Sequence, residues 1–413
     1  MRSQDAAPID FVIFSPNFFP RSDAEAYCAT RFASALAVAG HRVHVVTLTL
    51  PKGETPADYG VLVHPGVQIT PVARVDGRTR WPHVDLRTMT VGDNRILEIP
   101  GCVAKVKEAL AAFERPVLIT RTEPLLAAYV GYACRKSAAR WIAHFSDPIP
   151  WSLPGDSFYG AVRDMLARVM QRFWMRRVFK TADSISVTCL RARRFFRETY
   201  GMLADRPPWV VATHIGDTLL QSVERTGGVG KGVVFHAGDM YYGRGVEMLE
   251  AVERLNARGI PCELIQARHS PYDDTTRTAF VGRPHCHVIE PGCDPVLREK
   301  AAAAQVSCVV DFAPLSLAYS PRLLSKFAYQ VYENRPIVVS SSEDGEMRDF
   351  CMRYPEAGLF FAPQGDVDAL CLAIERALAA DPSAFDRTAI RKEFSAKAVA
   401  DRFVSFVRDL LGD

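Results

Sequence analysis

The stretch CVVDFAPLSLAYSPRLLSKFAYQVYENRPIVVSSS, residues 308–342, holds the signals of two strands with a helix between them. Residues 308–313 form a short apolar run of strand length, and residues 337–339 form a second short run of β-branched side chains. The segment between the two runs contains the residue types that begin and end helices. This order of elements predicts a β-α-β unit of a parallel sheet.

The helix between the two strands is predicted to cover residues 321–333. Ser320 is a good N-cap, and Pro321 suits the first helical position, where a missing amide hydrogen costs nothing. Arg322 and Lys326 lie four residues apart and therefore share one face near the helix start. Cations at this positive end are unfavourable unless an anion lies among them. The two side chains either extend into water or bind a phosphate together with Ser320 and the free amide groups.

The composition bounds the class of protein. A chain of 413 residues with 48% hydrophobic content is long enough for two domains. No apolar run approaches the roughly 20 residues of a membrane span, and the N-terminal MRSQDAAPID lacks the apolar core of a signal peptide, so we expect a cytoplasmic protein. Ten cysteines without a CxxC pair favour reduced, buried thiols. The group His285, Cys286, His287 and Cys293 matches no common zinc spacing, and no metal is expected.

The net charge of +3 conceals a strongly basic segment at residues 163–198. Such local basicity favours contact with an anionic surface or substrate over general nucleic-acid binding. The pattern within it predicts an amphipathic helix over residues 161–179, which either packs on the sheet with its arginines in water or lies through residues 161–180 against an anionic membrane. Its predicted apolar stripe consists of Val162, Leu166, Val169 and Phe173, and its arginine stripe of Arg168, Arg172 and Arg176.

The chain begins with another β-α-β pattern. Residues 10–15 and 41–47 read as strands and residues 24–39 as the helix between them, which predicts a doubly wound parallel sheet. The connecting loop lacks GxGxxG, so a nicotinamide or flavin cofactor is unsupported. Asp23 and Glu25 open the helix; they are ordinary capping residues there, or they mark a helix N-terminus on the acceptor side of a site.

Polar residues follow two further predicted strands. Glu123 comes after the strand at residues 117–120, and His144 and Asp147 come after the strand at residues 140–143. Ligands of open α/β sheets bind beyond the carboxyl ends of the strands, so these three residues are candidate catalytic groups. The alternative is that they are turn formers.

A second domain is predicted after a glycine-rich segment. Residues 213–232 lose periodicity and are interpreted as the linker between residues 1–212 and residues 233–395. The GGVGKG within the linker is not a phosphate loop, because Arg225 stands where that motif requires glycine. Residues 396–413 read as a C-terminal helix that returns to the first domain. Two doubly wound domains joined by a hinge predict a central cleft, a common place for small-molecule sites.

Four segments together resemble the GT-B glycosyltransferases of the retaining family GT4, which includes bacterial polysaccharide and lipopolysaccharide sugar transferases. The segments are DFVIFSPNFFPRSDAEAYCATRFASALAVAGHRVHVVT at residues 10–47, HFSDP at 144–148, FHAGDMYYGRGVEMLEAVERL at 235–255 and SPRLLSKFAYQVYENRPIVVSS at 320–341. The resemblance implies two Rossmann-like domains facing a central cleft, with the acceptor bound by the first domain and the sugar nucleotide by the second.

The resemblance also implies a donor site. Arg244 matches the family's basic residue before a glycine in the loop that begins at Gly238, which implies a diphosphate ligand. Lys326 matches a lysine found in members with a K-x-x-E-Y helix, and His144 matches the histidine of the pocket wall. The donor-binding set implied in this way is Gly238, Arg244, Ser320, Arg322, Lys326 and Glu346.

The chain departs from the family at two positions that usually hold glutamates in contact with the donor sugar and the ribose. Pro321 and Tyr329 stand there instead. Glu343 and Glu346 follow the next strand and are candidates for part of that role.

These features predict a retaining glycosyltransferase that moves a sugar from a UDP- or GDP-sugar to a glycan or lipid-linked acceptor in bacterial surface polysaccharide synthesis. It would act in the cytoplasm, either free or at the inner face of the cell membrane, without a cofactor or metal. One alternative is a catalytically degenerate GT-B subunit that binds a partner. Another is a sugar-nucleotide epimerase on the same fold.

Overall fold

The computed structural model describes residues 7–56, 63–75, 96–121, 125–149, 158–217, 230–238, 245–267, 278–289, 301–311 and 319–412. These residues form two compact units. One unit holds the described residues up to His214 and from Ala396 onward, and the other holds those from Ile215 to Ser395. Glu123, Arg244 and most of the predicted linker lie outside the described residues.

The first unit is built on a parallel sheet of seven strands in the order β3-β2-β1-β4-β5-β6-β7. All residues of β1 are buried, as expected for a strand covered on both faces. The strand order reverses between β1 and β4, which is the switch point of a doubly wound sheet. The strands are β1 (Asp10–Phe14), β2 (Arg42–Leu48), β3 (Val67–Val72), β4 (Val117–Arg121), β5 (Arg140–Phe145), β6 (Ser184–Val187) and β7 (Trp209–Val211).

Within the described residues, five α-helices lie between these strands in the chain, and they include those predicted at residues 24–39 and 161–179. The first of them begins after the N-cap Asp23, and Gly40 follows it with a φ of 87°, a left-handed conformation suited to glycine at a helix end. The helices are α1 (Ala24–Val38), α2 (Ile99–Ala111), α3 (Leu126–Cys134), α4 (Phe158–Thr181) and α5 (Leu190–Tyr200). Strand β3 was not predicted, because residues 51–100 show no clear period.

The second unit is built on a parallel sheet of six strands in the order β10-β9-β8-β11-β12-β13, with its switch point between β8 and β11. The predicted class, two doubly wound parallel sheets, is thus confirmed. The strands are β8 (Gly230–Ala237), β9 (Glu263–Ala267), β10 (Cys286–Ile289), β11 (Ala304–Val310), β12 (Ile337–Ser341) and β13 (Leu359–Pro363).

Helices on the second sheet complete its core. Leu249, Val252 and Leu255 repeat at helical spacing and are fully buried, in one cluster with Leu370 and Ile374. The helices are α6 (Val246–Ala257), α7 (Ser325–Gln330), α8 (Glu346–Arg353), α9 (Val367–Ala379) and α10 (Thr388–Glu393). Helix α11 (Ala396–Leu411) belongs to the first unit, where the ring of Phe403 packs 5.0 Å from that of Phe32.

The helix predicted at residues 321–333 is shorter than expected. It spans Ser325–Gln330, and its N-cap position is Leu324, which provides no side-chain cap. Ser320 does not cap it, because the Ser320 backbone forms a parallel bridge with Gly345 and donates its amide hydrogen to the carbonyl of Asp344 at 3.0 Å. Pairing with a distant segment therefore overrides the local capping signal.

Helix α4 also differs from its predicted packing. Val169 and Phe173 of the predicted apolar stripe are exposed, whereas Met175, Val178 and Phe179 are buried. None of the described helices is long and apolar enough to cross a membrane. The cysteines follow the prediction: the nine in the described residues are free and buried, and burial raises the pKa of Cys262 to about 12.

Candidate functional site

Gly238 lies at the switch point of the second sheet, directly after β8. Its φ is 105°, a conformation that favours glycine, and a Cβ at this position would force Nζ of Lys326 to move. Its amide donates to the carbonyl of Ala267 at 2.9 Å, and its carbonyl accepts from Nε2 of Gln266 at 2.7 Å. Both neighbours belong to β9, so the backbone is held in place beside the lysine.

Lys326 lies in the first turn of α7 and reaches the same corner. The side chain is half-buried, and its ammonium group donates to the carbonyl oxygen of Ala237, the last residue of β8, at 2.5 Å. This contact places a positive charge at the carboxyl end of the sheet beside a backbone without a side chain. An ammonium group in this position is able to bind an anion.

Two residues that sequence reasoning did not select lie at neighbouring strand ends. Asp311 directly follows β11 and is fully buried, and Ser341, the last residue of β12, donates its hydroxyl to the Asp311 carboxylate at 3.3 Å. A Cβ on Gly345 would lie 2.9 Å from Oγ of that serine. Asp311 lies inside the strand predicted at residues 308–313, which ends earlier in the structure, whereas Ser341 follows the strand predicted at residues 337–339.

Three other predicted donor-binding residues lie in the segments that precede α7 and begin α8. Arg322 is buried and lies in the segment before α7, so it does not share a helical face with Lys326 as predicted. Ser320 is buried beside Gly345, and Glu346 is the half-buried first residue of α8. The structure therefore brings Gly238 and Lys326 into contact and places Ser320 next to the segment that begins α8.

A second polar group lies at the carboxyl edge of the first sheet. Arg121, the last residue of β4, is 2% exposed and forms an ion pair with Glu25 of α1 at 2.8 Å. It also donates to Oγ of Ser146 at 3.1 Å, and its guanidinium lies 5.7 Å from the centre of the Phe32 ring. Glu25, predicted on the acceptor side, thus has an arginine partner that ties α1 to β4.

His144 lies inside β5 and not beyond its end, which corrects the sequence prediction. Its Nδ1 is 2.9 Å from Oγ of Ser186 and its Nε2 is 3.4 Å from Oγ of Ser146, and the ring stacks on Phe32. Burial, together with the nearby positive charge of Arg121, holds the pKa of His144 well below its usual range near 6.5. The imidazole is therefore neutral at neutral pH, with a serine hydroxyl at each ring nitrogen.

The remaining predicted residues of the first unit lie around this group. Asp147 is half-buried and follows β5. Asp23 accepts the amide hydrogen of Ala26 at 2.8 Å and forms an ion pair with Arg21, so it has the capping role that the sequence allowed.

Sequence reasoning missed three members of this buried network, which are Arg121, Ser146 and Ser186. Two of the contacts in this network join residues far apart in the chain: Arg121 and Glu25 are 96 residues apart, and His144 and Ser186 are 42 apart. Position at a strand end would have selected Arg121, but nothing local distinguishes Ser186 from other strand serines.

Solved structures share this fold over nearly the whole chain. TarM is similar with a TM-score of 0.65 and 7% identity, over 98% of this chain and 99% of that chain. A trehalose-6-phosphate synthase, studied for glycosyl transfer with retention, has a TM-score of 0.62 and 14% identity, over 97% and 99%. The catalytic domain of starch synthase IV from Arabidopsis thaliana, bound to ADP and acarbose, has a TM-score of 0.61 and 10% identity, over 98% and 100%.

No protein-family model matches the chain, and no curated protein sequence does. At such low identity, structural similarity shows the fold and not the activity. The chain therefore has the GT-B fold of two parallel-sheet α/β domains.

Proposed function

We propose that this protein is a retaining glycosyltransferase of the GT4 type, which moves a sugar from a nucleotide-diphosphate sugar to a glycan or lipid-linked acceptor. The observation that carries the proposal is the contact between Lys326 and the end of β8 beside Gly238. This contact lies at the switch point of the second sheet, where open α/β folds bind ligands. The similar structures of a trehalose-6-phosphate synthase and an ADP-bound starch synthase support the same class of donor.

A diphosphate suits this corner because it offers the ammonium group of Lys326 an anionic acceptor. Lys326 now donates to the neutral carbonyl of Ala237, and a phosphate oxygen would form a shorter, charge-assisted bond with the same ammonium group. Gly238 would let the diphosphate approach the backbone closely. Negative charge grows on the departing nucleotide during transfer, so a fixed cation stabilises the transition state more than the bound donor.

Further positive charge would come from Arg322 and from Arg244, which lies outside the described residues. With this charge in place we propose transfer without an added divalent metal. Unchanged turnover in a chelator would agree with this, and restoration of a lost activity by Mg²⁺ would contradict it.

Retention is proposed to follow from attack on the same face of the sugar, with the departing phosphate accepting the proton of the acceptor hydroxyl. Asp147 and Glu123 remain candidate groups on the acceptor side. We assign His144 a positioning role, because it is buried and neutral and holds Ser146 directly before Asp147 in the chain. Glu346, at the start of α8, is proposed to accept hydrogen bonds from sugar or ribose hydroxyls in place of the family's two glutamates.

Calorimetry with UDP- and GDP-sugars tests donor binding. Wild type is expected to bind at least one of them, and Lys326→Ala to bind it about tenfold or more weakly, since a hydrogen bond to a charged group contributes about 1.5–3 kcal/mol. Lys392→Ala removes an exposed lysine of α10 and serves as the matched control. Absence of binding by wild type, or equal binding by Lys326→Ala, would contradict the donor site.

Product analysis separates the proposed activity from its alternatives. Transfer of labelled sugar to a glycan or lipid-linked acceptor of a bacterial surface polysaccharide is the expected result. Conversion of the donor without any acceptor would indicate an epimerase instead. Donor binding without turnover on any acceptor would indicate a degenerate binding subunit.

A further inference from the structure

The middle of α4 presents an apolar row to solvent. Met165 and Val169 are each 56% exposed and Phe173 is 44% exposed. Because they are four residues apart, the three side chains lie on one face of the helix, one turn above another. Exposed apolar side chains are common singly, but a row of three large ones along one helix face is not.

A row of arginines lies beside the apolar row. Arg168, Arg172 and Arg176 are exposed, and each follows a member of the apolar row by three residues, so the two rows are neighbours on the same face. From residue 165 to residue 180 the sequence contains no acidic residue.

The α4 arginines differ in their partners from the exposed arginines of the adjacent helix in the chain. Within the described part of the protein, no acidic side chain forms an ion pair with any of the three. In α5, by contrast, Arg194 pairs with Glu198 at 2.9 Å, and Arg197 pairs with Asp205 at 3.2 Å. Among the described side chains, the positive charge of these three arginines therefore has no acidic partner.

The opposite side of α4 is already used to hold the helix. Met175 and Val178 are buried in the first unit, and the ring of Trp174 packs 3.9 Å from that of Tyr129 in α3. The helix therefore cannot turn its apolar row inward without losing these contacts. Packing on the unit and display of a basic, apolar face are properties of two different sides of the same helix.

We propose that the exposed face of α4, defined by Met165, Val169, Phe173, Arg168, Arg172 and Arg176, docks on the surface of an anionic lipid bilayer. The apolar side chains would enter the boundary between headgroups and acyl chains, while the arginines extend to the headgroup phosphates. A bilayer fits the two rows better than a protein partner does. Along the whole length of the helix, a bilayer offers anionic headgroups to the arginines and apolar acyl chains directly beneath them to the apolar row. Binding would be peripheral, and it does not depend on sugar transfer.

Flotation of the full-length protein with vesicles tests this surface. Vesicles of phosphatidylcholine and phosphatidylglycerol in equal amounts are expected to carry the protein upward, and vesicles of phosphatidylcholine alone are expected to carry much less. Raised salt should weaken binding to the anionic vesicles, because the arginines act through surface potential.

Two variants separate charge from apolar insertion. The triple variant Arg168→Glu, Arg172→Glu, Arg176→Glu is expected to lower partitioning by about tenfold or more on anionic vesicles. The double variant Val169→Ser, Phe173→Ser should lower it by a similar factor at low salt, since it removes the inserted surface.

Matched controls change the same charge or apolar area elsewhere. Lys107→Glu, Lys136→Glu, Lys392→Glu reverses three exposed lysines, and Met352→Ser, Leu372→Ser removes two exposed apolar side chains. Both controls should float like wild type.

Three outcomes would overturn the proposal. Wild type could fail to float, the α4 variants could float as well as their controls, or the protein could bind an acidic protein and not the vesicles. Donor calorimetry on the same variants should be unchanged, so failure of the docking surface is distinguishable from failure of the proposed function.

Discussion

The carboxyl edges of the two sheets use charged side chains in different ways. At the first sheet Arg121 is buried against the carboxylate of Glu25, and the pair joins helix to strand. At the second sheet Lys326 is half-buried and bonds to the backbone carbonyl of Ala237 beside a glycine that leaves it room. A cation bound to an opposite charge in the interior maintains the fold, whereas one bound to a neutral carbonyl can exchange that partner for an anionic ligand.

The largest effect is expected at the first sheet. Arg121→Ala leaves the buried Glu25 without its partner, and the free energy of unfolding should fall by about 3–5 kcal/mol. Urea denaturation measures this. Arg194→Ala breaks an exposed pair with Glu198 of similar length and should cost only about 0–1 kcal/mol. Equal costs for the two variants would remove the distinction between a buried structural pair and a surface pair.

The next largest effect concerns ligand space at the second sheet. Gly238→Ala introduces a Cβ against Nζ of Lys326, and donor affinity should fall about 100-fold, because the lysine is displaced and the Cβ also fills space that the diphosphate would use. Gly259→Ala is the matched control, since that glycine also has a positive φ, of 78°, but nothing lies within 4 Å of its Cβ position. Both variants should lose similar stability from backbone strain, and only the first should lose donor affinity. Equal affinities would show that the space beside Lys326 is not used.

A smaller change separates charge from hydrogen bonding at the same corner. Lys326→Gln keeps an N–H donor, on a side chain one bond shorter, but carries no charge. Donor affinity measured by calorimetry should fall about tenfold, while the free energy of unfolding stays within about 0.5 kcal/mol of wild type. This is the reverse of Arg121→Ala, which should lower stability and leave donor affinity of the folded protein unchanged. A stability loss without an affinity loss would assign the lysine to the scaffold.

The smallest effect is a pH dependence at the first sheet. Because the pKa of His144 is depressed in the folded state, the unfolded chain binds a proton first as pH falls below about 6.5, and stability is lost over that range. Above that value its contribution is constant. His144→Asn should therefore show a shallower loss of stability between neutral and mildly acidic pH than wild type, in thermal unfolding at several pH values. An unchanged slope would show that His144 does not resist protonation.

Much of the fold was predictable because its signals are local. Each of these signals can be recognised within a short stretch of sequence. Examples are the alternation of strand and helix patterns, the N-cap at Asp23 and the glycine after α1. The candidate site was predictable only in part. Gly238 and Lys326 follow from the strand end and from the resemblance, but the partners of Arg121 and His144 come from distant segments that no local pattern relates to them.

The sequence by itself determined the class of the fold, two doubly wound sheets, because apolar periods and turn residues are sufficient to order strands and helices along a chain. The tertiary structure alone decided three other features: α7 begins at Ser325 and not after Ser320, Glu25 is paired with Arg121, and α4 shows its arginines together with Val169 and Phe173 on one exposed face. Each of these three features depends on a contact with a segment that is distant in the chain. A long-range contact that satisfies a backbone or a charge outweighs the small free-energy preferences of capping and periodicity.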